Sequence, residues 1–132
     1  MKKEIAGNNY YSISVDEEIN RMYITMKGEW NKPSKVPNFI QDHEELIRHL
    51  KPGFTSLVDI KDMEPPSQDM LTILTKAVEM IEKAGMKRQA QIVGKASLEM
   101  IRKSRGALKE SGADEKMIQF GSYEEAIEWL DR

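Results

Sequence analysis

The chain predicts an α/β domain: a mixed sheet in the order ββαβαβαβα, with an N-terminal antiparallel hairpin, parallel core strands and about four helices. Three observations carry this. Two alternating runs, Tyr10–Val15 and Arg21–Lys27, face each other across the polar turn Asp16-Glu17-Glu18-Ile19-Asn20. A short apolar run, Phe54-Thr55-Ser56-Leu57-Val58-Asp59-Ile60, follows Pro52-Gly53 and reads as a buried strand. Beyond it, strand and helix patterns alternate to the C-terminus, which implies parallel strands joined by helical crossovers. Residues 1–9 are expected to be a flexible tail, with Ile5 available to extend an edge strand, and residues 10–132 a single domain.

In the hairpin, Tyr11, Ile13 and Val15 share one face and Met22, Ile24 and Met26 another, with serines opposite the first set. Gly28 ends it where Trp30 turns away. Asn31 to Pro37 is a connector, and helical spacing then places Phe39, His43, Leu46, Ile47 and Leu50 together until Lys51-Pro52-Gly53 stops the helix. The apolar strand is expected to end at Asp62-Met63-Glu64-Pro65-Pro66, because proline brings no N–H to a ladder. Ser67 is placed to cap the next helix, whose inner stripe runs from Met70 and Leu71 to Ile81 and Ala84, with Thr72, Lys76, Glu79 and Lys83 opposite. Arg88–Val93 reads as a partly apolar strand. Ser97 then opens a weaker helix carrying Leu98, Ile101 and Leu108, where Gly106 costs about 1 kcal/mol relative to alanine. Lys116–Phe120 is the last strand, and Ser122 with Glu125 forms a capping box for the final helix.

The totals exclude several classes. Hydrophobic residues make up 39% and charged residues 32% of the 132, which fits neither a membrane protein nor a disordered chain. No apolar run approaches the ~18 residues of a membrane span, and Met1-Lys2-Lys3-Glu4 has no apolar stretch behind it to act as a secretory signal. There are no cysteines, so disulfides and thiolate chemistry are out, in keeping with a cytoplasmic protein. A net charge of -2 argues against a general polyanion binder.

Several segments resemble the STAS domain, in particular the stand-alone branch related to the sporulation stage II AA anti-sigma-factor antagonists. Tyr23-Ile24-Thr25-Met26-Lys27-Gly28-Glu29 looks like the family's second strand and following glycine, and Leu57-Val58-Asp59-Ile60 like its central strand. Phe120-Gly121-Ser122-Tyr123-Glu124-Glu125-Ala126-Ile127-Glu128-Trp129-Leu130 looks like its closing strand and helix. The resemblance covers most of residues 10 to 130. It implies a non-enzymatic regulatory domain that presents the corner and helix after the central strand to a protein partner. Regulatory members carry a phosphorylatable hydroxyl at that corner, usually followed closely by a small residue such as glycine. Here Glu64-Pro65-Pro66-Ser67-Gln68-Asp69 has no glycine, and Asp69 would repel a phosphate added at Ser67.

Ligands in such sheets gather beyond the C-terminal ends of parallel strands. That rim is expected to hold Asp62, Glu64 and Ser67 after one strand, with Met70 just behind. Lys95 and Ser97, with Arg102, follow the next strand, and Ser122 the last. Ser67, Asp62, Glu64 and Met70 form the partner-facing set, and Lys95, Ser97, Arg102 and Ser122 the anion or ligand set. The plainer reading of all three serines is that they are helix caps. Asp59, Asp62 and Glu64 do not read as a metal cluster, since Asp59 and Asp62 are expected on opposite sides of the strand. His43, on the apolar face of the first helix, has no catalytic partner pattern and reads as a packing residue. Lys87, Arg88, Lys95, Arg102, Lys103, Arg105 and Lys109 form a basic stretch with no interleaved aromatics, which argues against nucleic acid. Met63 and Met70 could line a malleable surface or fill core gaps. Neither a catalytic set nor a cofactor motif is expected. The alternative to the protein-interaction reading is a small-ligand domain of the same fold, for a lipid-like, nucleotide or other anionic molecule. A homodimer is conceivable across an exposed hairpin edge.

Overall fold

Two antiparallel pairings and three parallel ones build a single six-stranded sheet whose spatial order is its chain order. The computed structural model describes residues 1–94 and 116–132. Its strands are β1 (Lys3–Gly7), β2 (Tyr11–Asp16), β3 (Arg21–Gly28), β4 (Thr55–Met63), β5 (Arg88–Ile92) and β6 (Met117–Phe120). Three α-helices are described, α1 (Phe39–Arg48), α2 (Gln68–Lys83) and α3 (Tyr123–Leu130). The helix expected around Leu98, Ile101 and Leu108 lies outside the described residues.

The hairpin forms as its alternation dictates. Tyr11 pairs with Met26 and Asp16 with Arg21, and the turn closes through Asn20 at φ 56, a left-handed conformation asparagine tolerates. Tyr11, Ile13, Val15, Met22, Ile24 and Met26 are all buried. With Val58, Ile60, Met63 and the inner stripes of α1 and α2, they make the larger core on one face of the sheet. Leu57, Ala90 and Ile92 point the other way and pack under Ala126 and Leu130 of α3. Helices therefore cover both faces. Tyr11, Trp30 and Phe39 close one end of the larger core, Phe39 meeting the other two rings edge-on at 5.1 and 5.2 Å.

Two expectations are corrected. Residues 3–7 are not a loose tail but strand β1, hydrogen-bonded to β2 with Ile5 packed against the larger core. Lys-Glu-Ile-Ala-Gly offers a single large apolar residue, too few for an alternation to show. Because β1 covers β2, the hairpin edge proposed for a dimer is already occupied. The new edge carries Lys3, Glu4 and a register slip between Glu4 and Ala6, all features that discourage edge pairing. The second correction concerns β4, which runs on to Met63 instead of stopping at Asp62. Thr25 pairs with Asp59 and Lys27 with Asp62, so β4 spends three steps where β3 spends two. This bulge shifts the side-chain parity. Ile60 and Met63, three residues apart, consequently both enter the larger core.

Where α2 returns to the sheet, Gly53 and Gly85 meet, the Gly53 N–H donating to the Gly85 carbonyl at 2.7 Å. Both have positive φ, 92° and 101°. A Cβ on Gly85 would also lie 2.9 Å from Pro52 Cα, whereas one on Gly53 would meet nothing within 4 Å. Gly85→Ala should therefore lose more stability in urea unfolding than Gly53→Ala, by about 1 kcal/mol or more. Equal losses would show that the Pro52 contact carries no weight.

Candidate functional site

β3 to β6 run parallel, so Gly28, Met63, Ile92 and Phe120 end at one rim. Ser67 stands there as the N-cap of α2. Its Oγ accepts from the Met70 N–H at 3.4 Å and lies 3.5 Å from the Asn31 carbonyl, while its own N–H donates to the Trp30 carbonyl at 3.0 Å. The hydroxyl is thus turned into local backbone. Met70 does not face a partner: it is wholly buried, because helical spacing sets it on the inner stripe with Ala77 and Ile81. Asp62 and Glu64 are exposed, and the Glu64 N–H ties the corner to the Gly28 carbonyl at 3.0 Å. Ser122 caps α3 by accepting from the Glu125 N–H at 3.3 Å. Since α2 and α3 pack on opposite faces, the caps at Ser67 and Ser122 do not converge on one ligand position. Lys95, Ser97 and Arg102 lie outside the described residues.

The bulge also changes the acidic cluster. Asp59 and Asp62, expected on opposite sides, both approach the Lys61 ammonium, at 2.7 and 3.9 Å. The hydrogen bond to Asp59 holds that ammonium above the ordinary lysine range. Among the described residues no group of three His, Asp or Glu side chains is gathered for a metal. Of the basic stretch, Arg88 is turned inward along α3. It donates to the carbonyls of Trp129 at 3.2 Å and Arg132 at 2.7 Å, with its guanidinium 5.0 Å from the Trp129 ring.

The concave feature lies elsewhere, between the sheet and α1–α2. A cavity of about 80 Å³ is walled on the sheet side by Ile24, Met26, Val58 and Ile60. On α2, Leu71, Leu74, Thr75 and Val78, spaced i, i+3, i+4 and i+7, form the opposite wall, and all four are only half-buried. Phe39 and His43 close it at α1, and Gln89 and Gln91 at β5. Both glutamines are buried. They belong to a ladder running one way across three strands: Gln119 donates to Gln91 at 2.7 Å, Gln91 to Gln89 at 3.0 Å, and Gln89 to Ser56 Oγ at 3.1 Å. The Sδ atoms of Met86 and Met117 lie 3.7 Å from the Gln89 and Gln91 amide nitrogens. Sequence reading passed over this ladder. Its signal was two polar residues at period 2 in a strand destined for the middle of a sheet.

His43 is 1% exposed and its ring lies 4.4 Å from that of Phe39. Its Nδ1 is 2.8 Å from the Phe39 carbonyl, which only accepts, so Nδ1 carries the proton of the neutral ring. Burial holds the imidazole below its ordinary pKa, opposed by the Phe39 hydrogen bond and the nearby Asp42 carboxylate. Asp42 in turn accepts from the Tyr11 hydroxyl, and burial together with that bond keeps the phenol protonated. The fold therefore favours neutral His43. As pH falls below about 6.5 the unfolded chain takes up the proton first, and stability declines until the folded pKa is passed. Urea midpoints between pH 7 and 5 should fall further in the native chain than in His43→Phe. The comparison isolates His43 from His49, which is paired at the surface with Glu17 and Glu45. Parallel pH profiles would exclude the buried ring as the source.

No family model matches the chain, and no curated protein matches it in sequence. Among solved structures it is similar to a DUF3478-family protein with a SpoIIAA-like fold from Shewanella loihica PV-4. The two are 17% identical, with a TM-score of 0.66 over 95% of this chain and 97% of that one. At that identity the likeness is one of fold. The chain has a SpoIIAA-like α/β fold, the architecture that its resemblance to STAS domains implied.

Proposed function

We propose that this protein is a non-enzymatic, cytoplasmic binding module that takes a small, largely apolar molecule into the cavity between the sheet and α1–α2. The observation that carries the reading is the cavity itself: apolar on both long walls but for the Thr75 hydroxyl, bordered by polar groups at its ends, and flanked by a half-buried stripe on α2. An enzyme is the weaker reading. His43 is anchored to a backbone carbonyl and His49 to surface carboxylates, so neither stands beside a nucleophile. No helix among the described residues is long and apolar enough to cross a membrane.

The regulatory alternative keeps one support. The corner at Asp62, Glu64 and Pro65 is exposed and acidic, and suits a basic patch on a protein partner. With Ser67 engaged as a cap and Met70 buried, that contact would rest on the two carboxylates.

Toluene separates these readings. The expected result is saturable thermal stabilisation of the native chain by toluene, and its loss in Val78→Phe, which fills the cavity from α2. Val78→Phe should retain the native circular dichroism spectrum. Native mass spectrometry of freshly purified protein should show a small bound species. A clean apo mass together with no toluene response would sink the cavity reading. A basic partner lost on Asp62→Asn/Glu64→Gln substitution would then favour the corner.

A further inference from the structure

We infer that the cavity recognises its occupant through one hydrogen bond accepted by Nε2 of His43, so that the ligand is a compact, uncharged apolar molecule bearing a single O–H or N–H donor. This rests on the cavity being a binding site.

With the Nδ1 proton given to the Phe39 carbonyl, Nε2 presents a bare lone pair. That nitrogen has no hydrogen-bond partner among the described residues, although His43 is 1% exposed and lines the cavity. Among the described residues the one side-chain polar atom both sealed and unpartnered is Glu82 Oε2, so Nε2 is not sealed off, and an accessible lone pair on a residue that lines the cavity is placed to accept from a donor that enters it. The cavity's glutamines are already engaged with one another, and the remaining polar side chain of the described lining is the Thr75 hydroxyl on the half-buried stripe. Each glutamine amide oxygen there accepts from the neighbouring glutamine, and each amide nitrogen donates to Ser56, to Gln89 or toward a methionine sulfur. None of the described lining residues carries a charged side chain that could neutralise an ionic head group. A carboxylate or ammonium brought here would lose its hydration with no counter-charge, which excludes ionised ligands. Size narrows the class further. An engineered apolar cavity of about 150 Å³ accepts benzene, and about 80 Å³ is little more than half of that, so the enclosed space suits a short branched chain and a single ring enters only by extending through the open side past the half-buried helix stripe. Burial keeps the imidazole neutral, as an acceptor must be.

Phenol and toluene are near-isosteres that differ in the donor, and they test the inference directly. In the native chain phenol should move the His43 Nε2 resonance in ¹⁵N NMR saturably, and toluene should not. The phenol-to-toluene affinity ratio should fall about three- to tenfold in His43→Phe, the range expected for one net hydrogen bond. Should His43→Phe not fold, the Nε2 titration of the native chain decides alone. If both ligands bind while phenol leaves Nε2 unmoved, selection by His43 is overturned and the cavity reading survives. If neither ligand binds saturably, both fall.

Discussion

A strand with neighbours on both edges and helices on both faces leaves little water for the polar groups along its buried length, and β4 from Thr55 to Ile60 is such a strand. Ser56, Val58 and Ile60 enter the larger core side while Leu57 enters the smaller one. Each buried hydroxyl on β4 has consequently recruited a partner from a neighbouring strand. Ser56 receives the Gln89 amide, and Thr55 Oγ1 receives Arg21 Nε at 2.8 Å. Arg21 is itself 4% exposed, and its other end reaches Asp131 at 2.8 Å. A single buried guanidinium thereby joins the start of β3, the start of β4 and the end of α3. With Arg88 on the carbonyls of Trp129 and Arg132, two cations sit by the C-terminal end of α3, where a helix favours positive charge.

The bulge in β4 is the second consequence of burying this strand. Without an extra residue between Asp59 and Asp62, simple alternation from Ile60 would turn Met63 away from the larger core. The bulge restores Met63 to it and extrudes Lys61 between two carboxylates. It also leaves the Lys61 carbonyl against Gly94 at the exit of β5, where a Cβ would lie 2.5 Å away. The rim is therefore closed by contacts within the fold, from Lys61 across to Gly94 and from Glu64 back to Gly28. Among the described residues, a rim so closed holds little of the open, convergent polarity expected of a ligand crevice. The concave, accessible feature lies instead on the helix-covered face.

The fold was legible wherever period and burial agreed. Alternation in β2 and β3, the apolar run of β4, the stripes of α1 and α2 and the caps at Ser67 and Ser122 all follow from local chemistry. β1 was faint because an edge strand with one large apolar side chain has no pattern to read. The bulge was invisible because it is a property of two strands in register, and neither carries it alone. The site was less legible for the same reason. His43 was readable as a buried packing residue. Its relation to a void, and the alignment of Gln119, Gln91, Gln89 and Ser56 from three strands, exist only once the parallel register brings them side by side.

That register bears on why a cavity stands here. Void space in a core costs about 24 cal/mol per Å³, so about 80 Å³ represents roughly 2 kcal/mol, with the open side reducing it. Against a typical net stability of about 5–15 kcal/mol this is not negligible. Nor is it forced by the topology, since larger side chains at Thr75 or Val78 would fill the space from α2 without touching a strand. The glutamine ladder adds to the argument. Its buried amides already pair with one another and with Ser56, so the void beside it is not a hydration site required by the sheet. On the cavity wall, His43 keeps an Nε2 with no partner among the described residues. A largely apolar chamber and an accepting nitrogen without a partner among the described residues, each tolerable alone, are complementary to the same kind of molecule, and that coincidence favours a site over a packing defect.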